Sequence, residues 1–77
     1  MNLKPGDSVY FPENLALGLL IERYAASDGH ILWSYALRSP SLGEPGSARM
    51  MVSIQHKEEN AILESIESGR LEYYEAA

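Results

Sequence analysis

Seventy-seven residues with a formal net charge of −5 suffice for one small domain, which buries about 60% of the surface its unfolded chain would expose. The absence of cysteine excludes disulfides, thiolate metal sites and a catalytic thiol, and is compatible with a reducing compartment. Six scattered basic residues against eleven acidic ones argue against phosphate-backbone binding as the main activity.

No apolar run reaches the roughly 18 residues of a membrane span, since the longest is broken by Glu22 and Arg23. The N-terminal Met1–Asp7 stretch lacks the apolar core of a signal peptide. The chain is therefore expected to be a single cytoplasmic domain over residues 1–77, with no membrane association.

In chain order, Lys4-Pro5-Gly6-Asp7 reads as a type II turn, with proline at the second position and glycine at the positive-φ third. It launches a short strand, Ser8–Phe11, which Pro12 ends by removing a backbone donor. Leu17–Tyr24 and His30–Arg38 read as an antiparallel hairpin around Asp28-Gly29, a pair that tolerates left-handed turn conformations. Alternation places Leu17, Leu19 and Ile21 on one face and Leu20, Glu22 and Tyr24 on the other. In the partner strand Ile31, Trp33, Tyr35 and Leu37 share a face.

Apolar residues on both faces fit a curved sheet closing into a small barrel, with one face core and the other partly covered. Gly18 reads as a bend or a point where another backbone passes close. Ser39–Ser47, with two prolines, two glycines and three serines, reads as a loop. Ala48–Gln55 reads as a strand with Met50, Val52 and Ile54 on one face.

From Lys57 the period becomes helical for about three turns. Ile62, Leu63 and Ile66 lie on one side, Glu58, Glu59, Glu64 and Glu67 on the other, and Gly69 sits at the C-terminal cap. Neither Gln55 nor His56 is a preferred N-cap. Arg70–Tyr74 returns to strand-like composition.

The order of these segments, carried by Lys4-Pro5-Gly6-Asp7-Ser8-Val9, Leu17–Glu22, Ile31-Leu32-Trp33 and Leu71-Glu72-Tyr73, resembles SH3-like small barrels. Among them it looks most like small proteins of phages and other mobile elements. The resemblance implies a mainly β fold of about five antiparallel strands with one helix before the last strand. The Ala-Leu-Tyr-Asp-Tyr segment of eukaryotic SH3 domains is missing, so their proline-rich peptide binding is not implied. A helix of about three turns also replaces the short helical turn of such barrels.

No catalytic constellation is visible. His30 and His56 lack metal-ligand spacing and read as solvated polar residues, and neither a Gly-x-Ser-x-Gly elbow nor a phosphate-cradling loop exists. Asp7 reads as a turn stabiliser that bonds nearby backbone amides. No cofactor or metal is expected.

The residues point instead to a non-enzymatic protein-interaction module, able to pair with a second copy through an exposed strand edge. Glu58, Glu59, Glu64 and Glu67, with Glu72 and Glu75, could meet a basic protein surface. Tyr10, Tyr24 and Tyr74 could flank a groove for a peptide or a methylated cation. The alternative is a nucleic-acid-binding barrel using Arg23, Arg38 and Arg49 near Trp33 and Tyr35.

Overall fold

The computed structural model describes residues 1–40 and 50–77. It comprises β1 (Ser8–Phe11), β2 (Ala16–Ala25), β3 (Ile31–Pro40), β4 (Met50–Glu58), α1 (Glu59–Glu67) and β5 (Glu72–Tyr74). The fold is mainly β: one antiparallel five-stranded sheet in the order β4-β3-β2-β1-β5, with the helix immediately before the last strand. β4 and β5 are its two edges, and no strand pairing among the described residues joins them into a closed barrel.

Turn chemistry sets the entry to each strand. Gly6 takes φ 94° in the turn where the Asp7 amide bonds the Lys4 carbonyl at 3.1 Å, which delivers β1 next to β2. Gly29 takes φ 90° in the β2–β3 hairpin, and Asp28 Oδ1 accepts from the His30 amide at 3.1 Å.

α1 ends in a Schellman motif. The Arg70 amide reaches the Ser65 carbonyl at 2.9 Å, the Gly69 amide reaches that of Ile66 at 3.1 Å, and Gly69 sits at φ 83°. Its N-terminus lies two residues later than the period predicts, because Lys57 and Glu58 continue β4 opposite Trp33 and Leu32. Glu58 is the N-cap and supplies no side-chain capping bond.

The core lies on one face of the sheet. Val9, Leu20, Trp33 and Tyr35 from the strands meet Ile62 and Leu71, with Phe11, Leu37, Ile66 and Tyr73 packed around them. α1 covers this face. Gly18 lies on the same face of the sheet, where an added Cβ would come within 3.1 Å of Tyr35 and 3.2 Å of Val9, so side chains rather than a backbone occupy the space.

A bulge at Ile21 shifts the β2–β3 register between Leu20 and Glu22. The alternation expected for β2 therefore breaks there: Leu20 points inward, while Glu22 and Tyr24 line up with Ser34 and Leu32. Ser39 and Pro40, expected in the loop, extend β3 opposite Met51 and Met50. β2 pairing ends at Arg38, so Pro40 forfeits no bond to that neighbour. The rest of that loop, with Ala48 and Arg49, lies outside the described residues.

Candidate functional site

The face of the sheet opposite α1 has no covering element among the described residues. Strand register builds it from two rows, each crossing all five strands. Tyr74, Ser8, Leu19, Ala36 and Ile54 form the first, and Glu72, Tyr10, Leu17, Arg38 and Val52 the second.

Burial alternates as this geometry requires. Val9 and Leu20 are about 1% exposed, whereas Leu19 is 45% exposed, Tyr74 54% and Ile54 57%. Leu17 and Val52 are exposed in the second row, and Ile21 is exposed at the bulge, two positions beyond Leu19. Exposed apolar residues scattered singly are ordinary, but here five of them, Leu17, Leu19, Val52, Ile54 and Tyr74, gather on one face, interrupted by Ser8, Arg38 and Glu72. On this face Arg38 makes no ion pair among the described residues.

The network around Asp7 positions the edge of this face. The Asp7 side chain is fully buried and accepts from the Tyr73 hydroxyl at 2.6 Å, the Ala76 amide at 2.9 Å and the Lys4 amide at 3.0 Å. Lys4 Nζ lies 3.2 Å from Asp7 Oδ1 and 2.9 Å from Glu75 Oε1. Burial by itself would raise the Asp7 carboxyl, but these donors outweigh it and hold the group far below the usual carboxylate range. The hydrogen bond to Asp7 in turn raises the Tyr73 hydroxyl. One carboxylate thus clamps β5 and the chain beyond it against the first turn, which holds Tyr74 and Glu72 beside β1. Asp7 stabilises its turn as expected, and its long-range partners are additional.

A second network joins the helix to the sheet. Glu59 accepts from the Trp33 indole at 2.8 Å and from Arg23 Nε at 2.6 Å. The Arg23 hydrogen bond, helped by that from Trp33, lowers the Glu59 carboxyl against the opposing effect of burial. Glu59 was expected on the solvent face of the helix; it starts the helix and turns inward because the buried indole needs an acceptor.

The residues singled out from sequence do not come together in one place. Tyr10 and Tyr74 lie on the exposed sheet face, on adjacent strands. Tyr24 lies seven positions along β2 from Leu17, the partner of Tyr10, and its hydroxyl is 2.7 Å from His56 Nδ1. Glu58 belongs to β4 rather than the helix and pairs with His30 Nδ1 at 3.2 Å. Glu64 and Glu67 are exposed on α1, which packs against the other face of the sheet.

For the nucleic-acid alternative, Trp33 and Tyr35 are core residues, Arg23 is tied to Glu59, and Arg49 is outside the described residues. The shared face of Leu17, Leu19 and Ile21, and that of Met50, Val52 and Ile54, are legible in the sequence; the register that sets Leu17 in line with Val52 and Leu19 in line with Ile54 is not. Comparison with known proteins finds no family model, curated protein or solved structure that matches this chain.

Proposed function

We propose that the chain is a non-enzymatic protein-interaction module that pairs with a second copy of itself through the exposed sheet face. The observation that carries this reading is the pair of five-strand rows. β2 is the central strand, so a two-fold axis running along it lays each row over its own counterpart, with Glu72 at the rim over the partner's Val52. Leu17 and Leu19 then meet their own counterparts. β1 lies over the partner's β3, which brings Tyr10 over the partner's Arg38, a cation on an aromatic face. β5 lies over the partner's β4, which sets Tyr74 against the partner's Ile54.

Two sheets packed in this way lie about 10 Å apart. Strands about 4.8 Å apart, with β1 and β5 only about 10–14 Å long, bury roughly 800 Å² in total, the range of weak contacts. An interface this small belongs with weak, transient pairings, and Kd is expected on the order of 100 μM. The face is preferred to the β4 or β5 edge because the exposed apolar side chains are gathered there. Glu64 and Glu67 stay accessible on the far side.

The likeness to SH3-like small barrels is read as an open variant of that fold. A helix preceding a short last strand that returns to pair with the first supports it.

Sedimentation over roughly 10 μM to 1 mM tests the pairing. The chain is expected to dimerise with rising concentration, and Leu19→Lys to remain monomeric with an unchanged melting temperature. A chain that is monomeric throughout, or a Leu19→Lys variant that dimerises equally well, removes the proposal.

A further inference from the structure

The helix side of the molecule carries a separate feature. A cleft of about 300 Å³ opens where the β1–β2 turn, β4 and the end of α1 meet, a volume at the small end of ligand sites. Phe11 and Leu71 contribute its apolar surface, Asn14 and Ser65 its neutral hydrogen-bonding groups, and Lys57, Arg70 and Glu13 its charges.

The two cations are notable in an acidic chain. Lys4 and Arg23 are matched with carboxylates, whereas neither Lys57 nor Arg70 makes an ion pair among the described residues. Lys57 is half-buried with Nζ 5.8 Å from the Phe11 ring centroid, a position that leaves its donors without an anionic partner. Arg70 gives Nε–H to Ser68 Oγ at 3.1 Å and keeps its terminal N–H groups for another acceptor.

Both sides of the cleft are fixed before any ligand arrives. The Schellman bonds hold the Arg70 backbone on one side. On the other, the β1–β2 turn is closed by the Asn14 amide on the Phe11 carbonyl at 3.2 Å, with Leu15 forced to φ 51°. Left-handed backbone at a leucine is strained, and such strain collects at ligand-holding turns.

Charge and surface together define the ligand. Lys57 and Arg70 supply +2 and Glu13 supplies −1, leaving +1, which matches one carboxylate better than a phosphate dianion. The apolar surface beside the charges suits a hydrophobic body attached to that carboxylate. We propose that this cleft binds a monocarboxylate carrying an apolar side chain, the chemistry shared by a free hydrophobic acid and by the C-terminal residue of a peptide. The fixed backbone on both sides of the cleft reduces the ordering cost of binding.

The test follows backbone amide shifts of Asn14, Ser65 and Leu71 in the intact chain during titration. The probes are N-acetyl-leucine, N-acetyl-leucinamide, and a four-residue peptide ending in leucine with a free or amidated terminus. Free-carboxylate probes are expected to bind with Kd near about 1 mM or tighter. The amides should bind at least about tenfold more weakly, as should the acids to Lys57→Gln or Arg70→Gln. Glu13→Gln should tighten binding. Peptide binding tighter than that of N-acetyl-leucine assigns the site to chain ends, and equal affinity assigns it to free acids. Amides that bind as well as acids, or an absence of shifts at those three amides with all four probes, overturn the proposal. The charge-neutralising variants lie on exposed or half-exposed positions, and their melting curves separate lost binding from lost fold.

Discussion

Asp7 is fully buried yet remains ionised because the Tyr73 hydroxyl, the Ala76 and Lys4 amides and the Lys4 ammonium converge on it. Its folded-state affinity for a proton is far below that of an exposed aspartate. A depressed carboxyl adds stability that is fully present above the unfolded value of about 4 and drains away as pH falls below it. Thermal melts from neutral to strongly acidic pH should show a steep acid loss in the native chain. Asp7→Asn should melt lower at neutral pH and show a flatter acid slope; a variant with the native slope would mean that another carboxylate governs acid unfolding. At the same scale, Leu15 is 63% exposed and held at φ 51°, so its side chain contributes little packing to offset the strain. Replacing it with glycine is expected to raise stability by roughly 0.5–1 kcal/mol in urea denaturation. The turn around Asp7 could be read from Lys-Pro-Gly-Asp alone. Its bonds to Tyr73 and Ala76 span 66 and 69 residues and have no local signature.

The elements are joined by contacts of equally long range. Glu59 accepts from the Trp33 indole across 26 positions and from Arg23 across 36. Glu59→Ala leaves a fully buried indole N–H without an acceptor, a loss of about 1–3 kcal/mol, with a shift in tryptophan fluorescence as the direct readout. Gly18 shows the opposite constraint, since an added methyl meets Tyr35, Val9 and Phe11 at 3.1–3.3 Å. Gly18→Val is expected to destabilise by about 1–3 kcal/mol through overpacking, measured by denaturant midpoint. The helix start is under-capped, because Glu58 makes no capping bond. Glu58→Asp should therefore gain roughly 0.5–1 kcal/mol while keeping the charge that faces His30. Strands, hairpin and helix were legible because turn residues and hydrophobic period are local properties. The bulge at Ile21 was not, since an extra residue in one strand is defined only against its partner.

At the scale of the whole molecule, one sheet separates two surfaces with different chemistry. α1 covers one face and frames a cationic cleft, while the other face leaves two rows of side chains open across all five strands. The apolar alternation of β2 and β4 was visible in the sequence and pointed to a barrel with both faces at least partly covered. Among the described residues the single open sheet leaves one of those faces uncovered, so Leu19 and Ile54 of its apolar rows are surface. The most direct test of the central claim is a set of isotope-filtered NOEs from an equimolar mixture of labelled and unlabelled chains at about 1 mM, well above the Kd expected of an interface this size. Contacts of Leu17 and Leu19 with their own counterparts, and of Tyr10 with the partner's Arg38, are the predicted result; intermolecular contacts confined to the β4 edge or to α1, or none, would contradict it.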